Sequence, residues 1–202
     1  MSTRRVVVTG IGALTPIGNN LNEYWNGLTE GTSGAGPITL FDSTNFKTKF
    51  ACEVKGFNPT DFIDRKQARK LDRFCQFAVT VADQAFNDSG LSVEKIDSDR
   101  AGVIWGSGIG GMSTFYSESV NFGTGNGTPR FNPFFIPKLI SDIPAGHISI
   151  KYGFRGPNFT TVSACASSTH ALIDAYNYIK WNKSDIFIAG GSEACVLEPG
   201  IG

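Results

Sequence analysis

The chain has 202 residues, and its 18 Lys and Arg balance 18 Asp and Glu, so its formal net charge is zero. That length is enough to bury a hydrophobic core, and a composition that is 41% hydrophobic and 12% aromatic excludes a disordered chain. A neutral chain has no overall attraction to nucleic acid or to anionic membranes.

The cysteine spacing and the hydropathy exclude further classes of protein. No run approaches the roughly 18 consecutive apolar residues of a membrane span. The four cysteines include no CxxC pair and predict neither a disulfide framework nor a zinc site. We therefore expect a cytoplasmic protein that binds no metal, no membrane and no nucleic acid.

The apolar pattern along the chain alternates between strand and helix. Short β-branched runs predict strands at 5–9, 49–54, 100–105, 158–163 and 184–190. Apolar residues at helical spacing predict helices at 21–31, at 67–89, near Pro137 within 132–150, and at 165–180. The stretch FGTGNGTPRF at 122–131 predicts a flexible loop. Alternating strands and helices are typical of an α/β protein with a mostly parallel sheet.

The strongest chemical signal is Cys165, where the strand at 158–163 meets the helix at 165–180. A side chain at such a sharp turn is held above the sheet, as in a nucleophile elbow. The N-terminus of a helix carries free N–H groups and about half a positive charge, and both favour a thiolate. Ala164 leaves room for an acyl group, and the N–H of Cys165 is a candidate oxyanion-hole donor. A free cysteine can equally be a small core residue, so the spacing alone leaves both interpretations open.

The other three cysteines predict core packing. Cys75 lies on the apolar face of a predicted helix, Cys52 lies in a strand-like run, and Cys195 follows a Gly-Gly turn. The sequence therefore singles out Cys165 as the candidate reactive thiol.

The cluster GSGIGG at 106–111 follows a predicted strand and fits the GxGxxG pattern of dinucleotide-binding folds. Such folds place an acidic residue about 20 positions further on, at the end of a second strand, where it binds the ribose. Ser, Thr, Gly and aromatic residues follow here instead. An NAD(P)-binding oxidoreductase therefore remains the less favoured alternative, and we expect no cofactor.

A basic run lies in DRKQARKLDR at 64–73. Its cations stand three and four positions apart, as on one face of a helix: Lys66, Arg69, Lys70 and Arg73. Most runs of this kind are solvated faces. On a neutral protein, a basic stripe suits an acidic protein partner better than DNA.

Several segments, in order and across the whole chain, resemble the β-ketoacyl-[acyl carrier protein] synthases, the condensing enzymes of fatty-acid synthesis. They are RRVVVTGIGALTPIGN (4–19), WGSGIGGM (105–112), PFFIPKLISDIPAGHISIKYGFRGPN (133–158), ACASSTH (164–170) and DIFIAGGSEA (185–194). GSGIGG and NPFFIP favour the type II class, which elongates longer acyl chains. The resemblance implies a thiolase-like fold, an α-β-α-β-α sandwich of two similar βαβαβαββ halves, usually as a homodimer. By that resemblance, residues 1–202 form the N-terminal half, and the C-terminal half is absent from this chain.

The same resemblance implies a ping-pong reaction with Cys165 as the nucleophile. Cys165 takes an acyl group from acyl carrier protein as a thioester. Malonyl carrier protein then loses carbon dioxide, and the carbanion attacks that thioester. Covalent catalysis of this kind divides one difficult step into two. The family's catalytic histidines and a supporting lysine lie in its second half, so neither His147 nor His170 inherits a decarboxylation role.

The resemblance also assigns binding residues. Those implied to line the acyl pocket are Ile109, Phe134, Phe135 and Ala164. Those implied to dock the acidic acyl carrier protein are Lys66, Arg69, Lys70 and Arg130. A second alternative is a non-catalytic partner subunit of a condensing enzyme, which would normally lack the nucleophilic cysteine.

Overall fold

The computed structural model describes residues 4–126 and 128–202. In chain order its elements are α1 (Leu21–Thr29), β1 (Gly36–Pro37), β2 (Phe50–Ala51), α2 (Arg65–Ala68), α3 (Arg73–Asp88), β3 (Ala101–Gly106), α4 (Met112–Thr124), α5 (Phe135–Leu139), α6 (Ile143–Tyr152), β4 (Asn158–Thr161), α7 (Ser167–Lys180), β5 (Ile186–Gly191) and α8 (Glu198–Ile201). None of the helices in these two ranges combines the length and the apolar character needed to traverse a bilayer.

A parallel sheet forms the centre of the fold. Its strands lie in the order β4-β3-β5, and β3 is parallel to both neighbours. Every residue of β3 is buried, as expected for a strand that is covered on both faces. The predicted α/β class is thereby confirmed. Because the strands are parallel, their carboxyl ends meet at one edge of the sheet, which is where sites form in such folds.

Helices cover both faces of the sheet. Val103 and Trp105 of β3 belong to the core formed with α3 and α6. Ile104 points to the opposite face and packs with Ala171 and Ala175 of α7. Full burial of a side chain such as Ile104 contributes about 1.5–3 kcal/mol. The described residues therefore form three layers, with α3 and α6 on one side of the sheet and α7 on the other.

Two glycines allow α7 to begin directly against the strand ends. A Cβ at Gly106 would lie 2.4 Å from the carbonyl carbon of Ser167, and one at Gly191 would lie 2.7 Å from the Cβ of Ser168. Backbone atoms of a helix cannot give way singly, so a side chain at Gly106 would displace the start of α7. Glycine at these two positions therefore lets the first turn of α7 lie directly against the carboxyl edge of the sheet.

The buried strand predicted at 5–9 is wrong. In the described part of the chain, nothing pairs with this segment in a sheet, and Val8 is 80% exposed. The chain that follows runs beside α3, where the Ile11 N–H donates to Asp88 and the Ala13 N–H donates to Gln84, each at 2.9 Å. A strand needs the N–H and C=O groups of a neighbouring strand as partners, and no described strand pairs with residues 5–9. Within residues 4–9 of the described chain, the first strand of the expected βαβαβαββ order is therefore not formed.

The single helix predicted at 67–89 is divided into α2 and α3. Asp72 separates them, because its carboxylate caps α3 by accepting from the Phe74 N–H at 3.4 Å. Aspartate is among the preferred residues at this position. The same buried carboxylate accepts from the Ser113 hydroxyl at 2.7 Å and from the Thr114 N–H at 3.0 Å. Asp72 thus joins the start of α3 to the start of α4.

Two further boundaries differ from the prediction. α4 continues to Thr124, so the beginning of the predicted loop at 122–131 is helical, while Gly127 of that loop lies outside the described residues. The helix expected near Pro137 is divided into α5 and α6. Ile140 between them adopts an extended conformation with ψ of 141°, and Pro144 is accommodated in the first turn of α6.

Candidate active site

Cys165 lies in a single 3-10 turn, Ala164–Ala166, between β4 and α7. Its side chain is exposed at the carboxyl edge of the sheet. The preceding residue, Ala164, adopts a left-handed conformation with φ of +50°, which costs a non-glycine residue about 1–2 kcal/mol. Strain of this kind persists only where the surroundings hold it, and it is concentrated at functional sites. The turn has the geometry of a nucleophile elbow.

Ser167 holds this turn closed. Its buried hydroxyl accepts from the N–H of Ser163 and donates to the carbonyl of Ala164, both at 2.8 Å. A further contact joins the residue before the turn to α7, because the Ser163 hydroxyl lies 2.5 Å from Nδ1 of His170. These bonds fix the backbone that presents Cys165. The sequence alone gives no signal of this role of Ser167, because the pairing of its hydroxyl depends on how the turn folds.

The glycine cluster at 106–111 forms the loop after β3 and lies beside the turn with Cys165. A Cβ at Gly108 would lie 3.5 Å from the Cα of Ala164, so only the space of about one methyl group separates the two segments. Ile109 follows at once, and its side chain is 55% exposed. Ile109 and Ala164, two of the four residues expected to line the acyl pocket, therefore lie at the same edge as Cys165.

Glu193 joins this loop to the end of β5. Its carboxylate accepts from the N–H groups of Gly108 at 2.6 Å and Ile109 at 3.2 Å. It also lies 3.3 Å from the hydroxyl of Ser107, which donates to it. Sequence reasoning did not single out Glu193. An acidic residue that follows a strand of a parallel sheet was nevertheless a readable signal, because such positions lie at the site edge.

The glycines of this loop pack closely against the neighbouring protein. A Cβ at Gly111 would lie 2.1 Å from the carbonyl oxygen of Lys138. The N–H groups of Gly108 and Ile109, which a bound phosphate would require, already donate to Glu193. Close packing therefore explains the GxGxxG pattern, and the geometry disfavours an NAD(P)-binding oxidoreductase.

The other three cysteines differ in burial. Cys75 is fully buried in the core, and burial raises the pKa of its thiol far above the usual range. Cys195 is partly buried, and burial together with the neighbouring Glu193 carboxylate raises its pKa to about 11. Cys52 is exposed, so the core position expected for it is wrong. It follows the short strand β2 at the surface, where Phe50 is exposed as well.

A separate surface groove gathers the residues expected to dock a carrier protein. It has a volume of about 790 Å³, and it is lined by Lys66, Arg69, Lys70 and Arg130 together with Phe134. The first three come from α2 and the turn after it, and the last two come from the segment before α5. The Lys70 ammonium lies 5.5 Å from the centroid of the Phe134 ring, within the range of a cation–π contact. We call this feature the basic groove.

Arg73 does not continue the basic stripe that the sequence predicts. Its guanidinium lies 4.9 Å from the ring centroid of Phe57 and 5.0 Å from that of Phe77. Partial burial lowers its pKa. The break between α2 and α3 interrupts the helical spacing, and Arg73 packs into an aromatic pair instead of facing the groove.

Of the two phenylalanines expected in the acyl pocket, one lines the basic groove and the other packs against a residue that lines it. Phe134 lines it, and Phe135 stacks on Phe115 and Phe131 with centroid distances of 6.4 and 5.5 Å. Their assignment to the acyl pocket stays a prediction. Glu118 also lines the groove, and sequence reasoning did not identify it, because a single acid on a helix carries no signal of what it faces.

Residues 3–202 match the family described as "Beta-ketoacyl synthase, N-terminal domain". The 3-oxoacyl-[acyl-carrier-protein] synthase 2 of Synechocystis sp. is 43% identical over 196 residues, which are 97% of this chain and 47% of that protein. The protein of the same name from Coxiella burnetii is 42% identical over 202 residues, which are 100% of this chain and 49% of that protein. The chain thus spans about half the length of these curated relatives.

A solved structure of the ishigamide ketosynthase/chain length factor has the same fold. It aligns with a TM-score of 0.89 at 29% identity, over 96% of this chain and 48% of that one. The thiolase-like fold expected from the sequence is confirmed by this likeness.

Proposed function

Because this chain belongs to the β-ketoacyl synthase family, we propose that it supplies the nucleophile half of a type II condensing enzyme, which elongates fatty acids on acyl carrier protein. The observation that carries the proposal is the exposed Cys165 on a strained turn at the carboxyl edge of a parallel sheet. In the proposed domain order, this chain is the N-terminal half, and a C-terminal half completes the site.

In the first half-reaction, the Cys165 thiolate attacks the carbonyl carbon of an acyl thioester on the carrier protein. The bond between that carbon and the carrier sulfur then breaks, the carrier leaves as a thiol with the proton that Cys165 has lost, and the acyl group stays on Sγ. We assign the developing oxyanion to the backbone N–H of Cys165, because a fixed donor at the turn needs no reorganisation during the reaction.

In the second half-reaction, a malonyl carrier protein loses carbon dioxide. Its carbanion attacks the thioester carbon, a 3-oxoacyl carrier protein forms, and the Cys165 thiolate is released. We assign neither histidine of this chain to decarboxylation. His147 is partly buried in α6, where burial lowers its pKa, and Nδ1 of His170 faces the Ser163 hydroxyl.

The basic groove is the proposed docking site for acyl carrier protein, which is acidic. Four cations line one groove on a chain of zero net charge, and such a local field steers an oppositely charged partner and accelerates association. Phe131 and Phe134 supply apolar contact area in the same groove.

The proposal extends to a homodimer in the cytoplasm. In the described residues β4 is an edge strand, and the exposed Val162 and Ile173 line one surface pocket with Thr161 at its end. All four cysteines are free, as is usual in a reducing compartment. Sedimentation velocity should show a species of twice the monomer mass, and a monomer at every concentration would contradict the dimer.

Intact-protein mass spectrometry of the full-length protein with acyl carrier thioester tests the nucleophile. The wild type and Cys52→Ala should gain the mass of one acyl group, whereas Cys165→Ala should gain none. Cys52→Ala is the matched control, because it removes the other exposed thiol. Acylation of Cys165→Ala would refute the assignment, and so would a lack of acylation in the wild type.

The alternative function is that of a non-catalytic partner subunit of a condensing enzyme, for which the acylation experiment would give a different result. Such a subunit would bind its catalytic partner and would take up no acyl group. The exposed Cys165 on its strained turn favours the enzyme, and the acylation experiment separates the two.

A further inference from the structure

Glu193 is exposed, yet its carboxylate reaches into the loop after β3 with three hydrogen bonds. One oxygen accepts from the N–H groups of Gly108 and Ile109, and the other accepts from the Ser107 hydroxyl. The Ser107 hydroxyl in turn accepts from the N–H of Gly110 at 3.1 Å. The N–H groups of three successive loop residues are thus fixed by Glu193, either directly or through Ser107.

The loop has little conformational preference of its own. Four of the six residues in GSGIGG are glycines, which populate far more backbone conformations than other residues do. The far end of the loop is held by α5, because the Gly111 N–H donates to the Leu139 carbonyl at 2.9 Å. In the middle of the loop, Gly108 lies close to Glu193 and Ala164. A Cβ at Gly108 would lie 2.9 Å from a carboxylate oxygen of Glu193 and 3.5 Å from the Cα of Ala164.

We propose that Glu193 is a positioning residue for acyl-chain selection: its carboxylate sets the conformation of the loop and thereby the place of the Ile109 side chain beside the acyl group on Cys165. The inference rests on the proposed function, since selection among acyl chains presupposes that Cys165 is acylated. Gly108 lies beside Ala164, where an added Cβ would reach van der Waals contact at 3.5 Å, so a movement of the loop alters the space next to Cys165.

The acceptor geometry distinguishes three substitutions. Glu193→Ala removes every acceptor and frees the loop. Glu193→Gln keeps one oxygen for the two N–H groups and turns an amide toward the Ser107 hydroxyl, which can accept from it. Ser107→Ala removes only the bridge to Gly110. Glu198→Ala is the matched control, because it removes an equivalent carboxylate from α8.

The test measures acyl transfer to Cys165 in the full-length protein from two acyl carrier thioesters, hexanoyl and hexadecanoyl. We expect Glu193→Ala to change the ratio of the two rate constants by about tenfold, the scale of losing hydrogen bonds to a charged acceptor. Glu193→Gln should restore the wild-type ratio to within about twofold, because a neutral acceptor keeps most of the bonding. Ser107→Ala should shift the ratio in the same direction by less, and Glu198→Ala should leave it unchanged.

Two results would overturn the inference. In the first, Glu193→Ala or Ser107→Ala changes both rates equally, which is the signature of a merely structural role. In the second, Glu193→Gln fails to restore the ratio. Both leave the proposed function intact, because Cys165 is still acylated. A wild type that neither donor acylates would refute the proposed function and this inference together. Ser107→Ala and Glu193→Gln keep the inference testable if Glu193→Ala does not fold.

Discussion

The turn that carries Cys165 and the basic groove are built in opposite ways. The turn is strained at Ala164, and the buried hydroxyl of Ser167 holds it closed with two hydrogen bonds. The groove is open, and side chains from three separate segments line it, with its four cations exposed. Attack on a bound acyl group needs an accurate placement of the sulfur. Attraction of an acidic protein needs only a summed field, which acts over about 8 Å at physiological ionic strength.

This difference predicts which kinds of substitution each region tolerates. At the turn, the loss of one hydroxyl should slow the acylation of Cys165, and the size of this effect should not depend on salt. At the groove, the affinity for acyl carrier protein should depend on the total charge, and this dependence should weaken strongly as the salt concentration rises.

The largest effect is expected from reversing the charge of the groove. In the triple variant of Lys66→Glu, Arg69→Glu and Lys70→Glu, binding of acyl carrier protein should weaken by about thirtyfold at low salt, because like charges then face each other. The dependence of affinity on salt concentration should also become shallower, since fewer ion pairs form. Titration by fluorescence anisotropy at several salt concentrations measures both quantities.

A matched control separates the groove from net charge. Lys47, Lys55 and Lys95 are exposed cations that do not line the groove. Their reversal changes the net charge of the chain by the same amount. This control should bind the carrier protein within about twofold of the wild type, because distant exposed charges are screened. Equal weakening in the two triple variants would show that the groove is not the docking site.

The next effect tests the turn. Ser167→Ala leaves the Ser163 N–H and the Ala164 carbonyl without their hydroxyl partner, which should lower the free energy of unfolding by about 1–3 kcal/mol. Release of the strained turn should also slow the acylation of Cys165 by about tenfold, since reactivity depends on placement. Urea denaturation and time-resolved mass spectrometry measure the two effects.

Ser168→Ala is the control for the turn, because it removes the same hydroxyl from the next residue of α7. The rate of acylation in Ser167→Ala should also be independent of salt, unlike carrier binding in the groove variants. If Ser167→Ala and Ser168→Ala slow acylation equally, the two hydrogen bonds of Ser167 do not hold the turn.

Local patterns were sufficient to predict much of the fold. β3 and α7 are specified by apolar residues a few positions apart, and their period is visible without any knowledge of neighbours. Residues 5–9 have the same β-branched pattern as a buried strand, but strand formation depends on a partner that the pattern does not reveal. The helix break at Asp72 was readable, because aspartate before an apolar run is an N-cap signal.

The sequence predicts the central residue of the site, but it does not predict the residues that hold the surrounding loop in place. Cys165 stands at a strand-to-helix junction, which is a local feature. Glu193 and the loop residue Gly108 are far apart in the sequence, and only the parallel pairing of β3 with β5 brings them together. Lys70 and Arg130 are also distant along the chain, and only the tertiary fold brings them into one groove.

The smallest effect concerns Glu118, the acidic residue among the groove-lining residues. Its carboxylate accepts from the Asn132 N–H at 3.1 Å, so it steadies the segment that carries Arg130 while it repels an acidic partner. Glu118→Gln keeps an acceptor for that N–H and removes the charge. Binding of acyl carrier protein should tighten by about twofold, mainly through faster association, because rim charges act on the encounter.

Stopped-flow association kinetics with Glu118→Gln and Glu198→Gln measure this gain. Glu198→Gln is the matched control, because it removes the same charge from α8, outside the groove. The gain should disappear at high salt, where a single charge is screened. Tighter binding that persists at high salt would mean that Glu118 acts by shaping the segment with Arg130, and the groove would then share the geometric control found at Cys165. A gain that salt abolishes keeps the two regions distinct, with position governing the turn and charge governing the groove.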